Sequence, residues 1–199
     1  MDKKGRLSSA TNLINSIKIE NQNFYGYYER IGLIIHGGAK VKIVVGVADM
    51  KSSNKNGDEI ITYSLGSCIG VAVFDPLVKV AGLLHFMLPE SDLDLEKAKK
   101  NPFMFADTGI PRLFRELYKY GGKKQRMKVV IVGGAQILDQ KGFFNIGKRN
   151  YMAVKKMFFR NNVFCDYEDV GGNINRTVTI RVDTGEVIIK TSGQGEKII

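Results

Sequence analysis

Cysteine, histidine, tryptophan and proline are all scarce in this chain of 199 residues. It contains two Cys, two His, four Pro and no Trp. Two cysteines cannot form the disulfide framework of a small secreted domain, and no Cys or His residues are spaced closely enough for a structural zinc site. We therefore expect no metal and no other cofactor, and a reducing, cytoplasmic environment.

Long apolar runs are also absent. No stretch approaches the roughly eighteen consecutive apolar residues that a membrane-spanning helix needs, and Ile31–Ile35 is too short and too poorly flanked to be a secretory signal. Hydrophobic residues still make up 44% of the chain and charged residues 25%, which is ordinary for a globular domain with a real core. The composition therefore predicts a soluble protein without membrane insertion.

Acidic residues are almost missing from one segment, Lys119–Arg160. It contains eleven Lys and Arg residues and a single acid, Asp139, so that its formal charge of +10 equals that of the whole chain. A surface of this kind attracts acidic partners. No zinc finger and no aromatic RNA-binding motif accompanies the charge, so we expect an acidic protein partner and no nucleic acid.

The chain divides by composition into two parts. Residues 1–40 are polar and rich in Asn and Tyr, and they are predicted to be an N-terminal extension, partly disordered and partly helical near Ala10–Ile19. Residues 41–199 contain the apolar runs and are predicted to form the functional domain. Lys51–Asp58, "KSSNKNGD", is predicted to be a loop within that domain.

The periodicity of residues 41–199 predicts an α+β fold. Two amphipathic patterns indicate helices, one over Asp107–Tyr120 with Asp107-Thr108 as its cap and one that starts at about Gly147 and includes Phe158. About seven β-rich runs predict mixed sheets in a sandwich-like arrangement, flanked by those two main helices. The runs are Val41–Val47, Ile69–Phe74, Val78–Leu88, Lys128–Val132, Val163–Tyr167, Arg176–Val182 and Glu186–Lys190.

One stretch, "ITYSLGSCIGVAVFDPLVKVAGLLHFMLPE", contains Cys68 and, seventeen positions later, His85. If Pro76-Leu77 is the two-residue tip of a hairpin, Cys68 stands directly opposite His85, with Cβ atoms about 4.5–5.5 Å apart. A three-residue tip would place the two side chains on opposite faces instead.

A cysteine beside a histidine is suited to nucleophilic catalysis, because an imidazolium stabilises the reactive thiolate. Gly66 and Ser67 allow a tight turn whose amides, with that of Cys68, could hold an oxyanion. Thr62 and Ser64 are both near enough in sequence to orient the imidazole. The competing interpretation is that Cys68 and His85 are two ordinary core side chains.

The remaining reactive residues and glycine pairs are less informative. Cys165 lies in an alternating run and is interpreted as a core residue, and His36 falls in the predicted extension. The pairs Gly133-Gly134 and Gly171-Gly172 lack the Lys-Ser/Thr that follows a phosphate loop. Turn geometry and close packing beside the site explain them better.

Six motifs in unbroken order over about residues 41–190 resemble the CheD family of bacterial chemoreceptor glutamine deamidases. They are "TYSLGSCIGVAVFDP", "GLLHFMLP", "FADTGIPRLFREL", "VVIVGGAQIL", "NIGKRNYMAV" and "EDVGGNINRTVTIRVDTGEV". The resemblance implies a hydrolase of the Cys-His-Thr type, with Cys68 as the nucleophile, His85 as the base and Thr62 as the residue that orients His85.

The resemblance also implies a substrate and partners. The substrate would be glutamine side chains on the cytoplasmic helices of chemoreceptors, converted to glutamate through a cysteine thioester, and a CheC-type phosphatase would be a second partner. An alternative within the same family is an adaptor that binds and stimulates the phosphatase with little catalysis of its own. A thiol protease or a transglutaminase would use the same nucleophilic attack.

Overall fold

Two five-stranded β-sheets and a layer of helices make up the fold in a computed structural model, which describes residues 40–137 and 144–199. Ten strands are named within those ranges: β1 Lys42–Val45, β2 Asp49–Ser53, β3 Glu59–Leu65, β4 Ile69–Asp75, β5 Val80–Phe86, β6 Lys128–Gly133, β7 Tyr167–Val170, β8 Arg176–Arg181, β9 Val187–Thr191 and β10 Gly195–Ile198. The helices are α1 Leu95–Lys100, α2 Ala106–Lys119 and α3 Ile146–Arg160.

Each sheet mixes parallel and antiparallel pairs. The first sheet has the strand order β1-β3-β8-β9-β10, and the second has the order β2-β5-β4-β6-β7. Among the ten named strands, only the β1–β3 and β6–β7 pairs are parallel. The α+β class with mixed sheets, predicted from the sequence, is therefore confirmed.

Apolar side chains on alternate positions of β4 and β5 face two different cores. One core lies between the sheets, where Phe74 and Leu83 meet Ile180 and Ile189 of the first sheet. The other core lies on the opposite face of the second sheet, where Leu84 packs with the apolar side chains of α2 and α3. Strands buried on both faces read as continuous apolar runs, which is why β4 and β5 were recognisable in the sequence.

The β4–β5 hairpin exists as predicted, but the predicted two-residue tip is wrong. Asp75 pairs with Val80, so that four residues form the tip, and Gly70 rather than Cys68 stands opposite His85. Asp75 accounts for the wider turn, because its carboxylate accepts from the amide of Leu77 and pairs with the Arg126 guanidinium at 2.7 Å. The register moves by two residues, which leaves every side chain on the face expected for it.

Three strands are missing from the sequence-based prediction, and two of them, β2 and β10, lie at sheet edges whereas β3 lies inside the first sheet. β2 occupies the first part of the predicted loop Lys51–Asp58, and neither β3 nor β10 was predicted, so that the described residues contain ten strands rather than seven. The strand predicted at Val163–Tyr167 begins only at Tyr167. Edge strands carry polar or charged side chains toward solvent, so they lack the apolar alternation that marks an inner strand.

Both predicted main helices are present, with one difference at the start of α2. The helix begins at Ala106, after Phe105, whose side chain makes no capping bond. Asp107 is therefore not the cap. Its carboxylate instead accepts from the backbone amide and the hydroxyl of Ser91, at 3.0 and 2.7 Å. This contact fixes the segment that follows β5 against α2.

The predicted extension at residues 1–40 lies almost entirely outside the described residues, and the proposed division at residue 40 stays a prediction. No helix among the described residues is long and apolar enough to cross a membrane.

Candidate active site

The chain crosses from the first sheet to the second between β3 and β4, and Cys68 lies in that crossing. The register of β3 against β8 shifts between Thr62 and Leu65, and Ser64 has a left-handed φ of 54° within this bulge. Bulges end regular pairing and redirect the chain. The bulge therefore turns the chain out of one sheet immediately before the Gly66-Ser67-Cys68 turn.

A hydrogen-bonded chain joins the two sheets beside this crossing. The hydroxyl of Thr62, on β3, lies 2.9 Å from the carbonyl oxygen of Val45 and 2.7 Å from Nδ1 of His85, on β5. The carbonyl can only accept, so it takes the single hydroxyl proton of Thr62, and the hydroxyl oxygen accepts from Nδ1–H. The bonding pattern thus assigns the tautomer: Nδ1 carries the proton and Nε2 carries the lone pair.

The Nε2 atom of His85 is buried and has no hydrogen-bond partner among the described residues. The whole residue is 1% exposed. Burial disfavours the charged imidazolium and lowers the pKa of His85 from 6.5 to about 4. At neutral pH this imidazole is a neutral proton acceptor with its lone pair unused.

The lowered pKa of His85 predicts a loss of stability in acid. The unfolded chain binds a proton at His85 near pH 6.5 and the folded chain only near pH 4, so the contribution is complete above pH 6.5 and is lost as the pH falls toward 4. Between pH 7 and 4, the free energy of unfolding should fall by up to about 3 kcal/mol more in the native protein than in His85→Gln. Urea unfolding of both proteins over this range measures the difference.

The comparison with His85→Gln also cancels the contribution that other titrating groups make to the pH dependence of the free energy of unfolding. The pKa values of Asp75 and Glu168 are lowered by hydrogen bonds and charges from Arg126 and Lys155, against the opposing effect of burial, and they destabilise both proteins alike in stronger acid. Parallel stability curves for the two proteins between pH 7 and 4 would contradict the assignment of a buried neutral imidazole.

All three carbonyl groups of the Gly66-Ser67-Cys68 turn are held by hydrogen bonds. The amide of Ala135 donates to Gly66 at 2.7 Å, and the amide of Gly134 donates to Cys68 at 2.8 Å. The side-chain amide of Asn150, on α3, donates to Ser67 at 2.9 Å. The turn that carries the candidate nucleophile is therefore fixed on three sides.

Glycine is required at two positions for this support. Gly133 has a φ of 116°, and a Cβ there would lie 2.3 Å from the carbonyl oxygen of Cys68. A Cβ at Gly147, near the start of α3, would lie 2.3 Å from the carbonyl oxygen of Gly134. These glycines let α3 and the loop after β6 approach the Cys68 turn closely, as the sequence predicted for Gly133-Gly134.

The thiol of Cys68 is partly exposed and packs against the core between the sheets. Burial raises the pKa of this thiol, and its own backbone amide offsets the rise only in part. With the pKa of His85 lowered, both shifts favour a thiol and a neutral imidazole in the resting protein. This differs from the thiolate–imidazolium pair expected from the sequence.

The structure separates the alternatives for the residue that orients His85. Thr62 contacts the imidazole, whereas Ser64 is exposed on the bulge. Cys165 lies outside any strand, half-buried against the helix-side core, with its thiol 3.2 Å from the carbonyl oxygen of Tyr167. Its thiol contacts the backbone carbonyl groups of Val129 and Tyr167, which is the environment of a structural thiol. His36 lies outside the described residues.

Asn150 is the residue beside the site that periodicity did not reveal. Its only sequence signal is a polar residue on the buried face of an amphipathic helix, one turn before Ala153 and Val154. Among the described residues, no three His, Cys, Asp or Glu side chains are grouped closely enough to hold a metal ion.

Comparison with known proteins points to one family. Residues 87–191 match the family model described as CheD chemotactic sensory transduction. A protein of Syntrophus aciditrophicus (strain SB), named Probable chemoreceptor glutamine deamidase CheD 1, is 54% identical over 151 residues, which are 76% of this chain and 94% of that protein.

More distant relatives carry the same name. Proteins of Solibacter usitatus and Desulforamulus reducens, each named Probable chemoreceptor glutamine deamidase CheD, are 37% and 42% identical over 158 and 161 residues. These alignments cover 79% of this chain in both cases and 94% and 95% of the two relatives. The similarity thus extends over nearly the full length of each relative.

Proposed function

The chain belongs to the CheD family, which confirms the resemblance seen in its motifs, and we propose that it deamidates glutamine side chains of chemoreceptors through a thioester on Cys68. The observation that carries the proposal is the free, buried lone pair of His85 Nε2, whose tautomer is set by Thr62. Cys68 lies two residues before Gly70, the residue paired with His85. The Cys68 turn and the base therefore lie at the same end of the β4–β5 hairpin, which supports the proposal.

In the proposed reaction, His85 Nε2 takes the thiol proton of Cys68 as the sulfur attacks the carboxamide carbon of the glutamine. The carbonyl oxygen becomes an oxyanion, which backbone amides of the Gly66–Cys68 turn stabilise. The carbon–nitrogen bond then breaks, and the nitrogen leaves as ammonia with the proton from His85. A thioester remains on Cys68.

Hydrolysis completes the cycle. His85 Nε2 takes a proton from a water molecule, whose oxygen attacks the thioester carbon. The carbon–sulfur bond breaks, the thiol regains its proton, and the glutamine has become glutamate. Because both resting groups are neutral, proton transfer accompanies attack, so that general-base catalysis replaces a preformed thiolate.

The experiment that tests the function is incubation with a chemoreceptor cytoplasmic fragment that contains glutamine at its modification positions. Peptide mass mapping should show conversion of Gln to Glu, and in ¹⁸O-labelled water each new carboxylate should gain one ¹⁸O atom. Cleaved peptides would indicate a thiol protease, and cross-linked peptides a transglutaminase. Either result would contradict the proposal.

The exposed face of α3 supports an acidic protein partner. We define the basic face of α3 as Lys148, Arg149, Lys155, Lys156 and Arg160, with Met152 and Phe159 exposed among them at 55% and 85%. Lys155 pairs with Glu168 and Lys156 with Glu90. The other three cations have no ion pair among the described residues. Positive charge around exposed apolar side chains suits an acidic amphipathic helix.

This face should steer the receptor toward the active site. Lys148→Glu with Arg149→Glu is expected to lower kcat/KM for the receptor fragment by about tenfold at low ionic strength, and added salt should shrink the difference. The effect should fall on KM, because neither side chain is part of the proposed chemistry. Initial rates at several salt concentrations measure it.

A matched control carries the same change in net charge at the other end of the second sheet. Lys79 lies in the β4–β5 tip and Lys128 begins β6, both far from the Cys68 turn. Lys79→Glu with Lys128→Glu should leave kcat/KM within about twofold of the native value, since steering falls off with distance. Equal losses in the two double variants would exclude a localised docking face.

A further inference from the structure

Asn150 is fully buried at 0% exposure and joins two segments of the active site. Its side-chain amide donates to the carbonyl oxygens of Ser67 and Met87, both at 2.9 Å. Ser67 precedes Cys68, and Met87 lies two residues after His85. One carboxamide on α3 therefore holds both the turn that carries the nucleophile and the end of the strand that carries the base.

The bond to Ser67 also fixes the direction of a neighbouring amide. A peptide unit is planar and trans, so the carbonyl of Ser67 and the N–H of Cys68 point in opposite directions. Because Asn150 holds the carbonyl, it sets where the Cys68 N–H points. The same argument applies one peptide earlier, where Ala135 holds the carbonyl of Gly66 and so directs the N–H of Ser67.

The remaining atom of the Asn150 carboxamide shows that this residue does not serve packing alone. Its Oδ1 is buried without a hydrogen-bond partner among the described residues. A buried acceptor left unpaired costs about 1–3 kcal/mol, a cost that an apolar residue on this face of α3 would avoid. What Asn150 supplies is the pair of donors on Nδ2.

We propose that Asn150 is a positioning residue for the oxyanion site, holding the Ser67–Cys68 peptide so that the Cys68 N–H faces the oxygen of the bound carboxamide. The inference rests on the proposed deamidase function. A preorganised amide donor of this kind is worth about 10²–10³ in kcat. Asn150 acts through that amide and does not itself touch the substrate.

Two reactions of Cys68 distinguish the proposed orienting role of Asn150 from a general effect of the substitution on the fold. Deamidation passes through an oxyanion, whereas alkylation by iodoacetamide displaces iodide at a saturated carbon and forms none. Asn150→Ala is expected to lower kcat for the receptor fragment at least about tenfold with KM nearly unchanged, because only the transition state uses the oriented amide. The rate at which iodoacetamide modifies Cys68, followed by peptide mass, should stay within about twofold.

Asn161→Ala is the matched control, since it makes the same change at the exposed end of α3, where Asn161 bonds only to the carbonyl oxygen of Met157 through its side chain. It should alter neither reaction. Asn150→Asp keeps the shape of the side chain and serves if the alanine variant does not fold. Asparagine donates two hydrogen bonds through Nδ2, whereas an aspartate carboxylate donates none and a protonated aspartic acid donates one. The kcat should therefore fall again, while the alkylation rate of Cys68 is retained.

Two results would overturn the inference: kcat unchanged in a folded Asn150 variant, or alkylation and deamidation lost in parallel. Neither bears on the deamidase proposal, which depends on Cys68. If Cys68→Ala retained deamidation, the proposed function would fail whatever the Asn150 variants do. If Cys68→Ala were inactive and the folded Asn150 variants fully active, only the positioning role would fail.

Discussion

Replacing Cys68 with alanine is expected to abolish the conversion of glutamine to glutamate, with a loss of at least about 10³-fold in kcat. The variant keeps the fold, because the Cys68 side chain is only partly buried and the turn is held through backbone carbonyl groups. It loses the sulfur that is proposed to form the thioester. Peptide mass mapping of the receptor fragment after prolonged incubation measures the residual activity.

Cys165→Ala provides the matched control. Burial and the charge of Glu168 raise the pKa of Cys165 to about 12, so this thiol stays protonated and unreactive at neutral pH. Its replacement should leave kcat unchanged. Full activity in Cys68→Ala, or loss of activity only in Cys165→Ala, would show that the nucleophile has been assigned to the wrong residue.

The same variant separates catalysis from partner binding. The alternative function, an adaptor that binds and stimulates a CheC-type phosphatase, needs no thiol. Cys68→Ala should therefore bind a CheC-type phosphatase with native affinity in a calorimetric titration. If the native protein bound the phosphatase but converted no glutamine of the receptor fragment, the adaptor role would be the better description of the protein.

Replacing His85 with glutamine is expected to lower kcat by about 10²–10⁴, the usual contribution of a general base. Glutamine can still contact Thr62 but cannot accept a proton near neutral pH. The loss should be severe here, because burial raises the pKa of Cys68 and leaves little thiolate to react unaided. Steady-state rates with the receptor fragment measure the loss in kcat. The alkylation rate of Cys68 measures how reactive the thiol remains without the base.

Thr62→Val is the companion to the His85 variant. It keeps the volume at position 62 and removes the hydroxyl that accepts from Nδ1–H and donates to Val45. The imidazole remains but its tautomer is no longer fixed, so kcat should fall by less than in His85→Gln. A larger loss in Thr62→Val, or more than a tenth of native kcat in His85→Gln, would contradict these roles.

The sequence predicted strands that are buried on both faces better than the other strands. β4 and β5 are buried on both faces, so their residues form apolar runs that no loop would carry. β2 and β10 lie at sheet edges and are rich in Asp, Lys, Ser and Glu, which is also the composition of loops. Edge strands gain order from backbone pairing with a neighbour, and single-sequence periodicity does not report that pairing.

The candidate site could be assembled only in part from the sequence, for a related reason. Gly66, Ser67, Cys68 and His85 stood out because cysteine and histidine are rare and small residues precede the thiol. Their relative placement did not follow from the hairpin, because the tip has four residues and its length depends on Asp75 and the distant Arg126. Asn150 carries no such signal, since a buried asparagine in a helix is recognisable only once its partners are seen.

What the sequence determined by itself was the inventory: one thiol directly after a Gly-Ser pair, one histidine on an apolar strand, and motifs specific to the CheD family. Only the tertiary structure decided how these residues act together. Thr62 meets His85 across 23 positions, and Asn150 reaches Ser67 across 83. Those contacts form because two sheets and a helix pack together, and packing of distant segments sets hydrogen-bond directions that local sequence cannot specify.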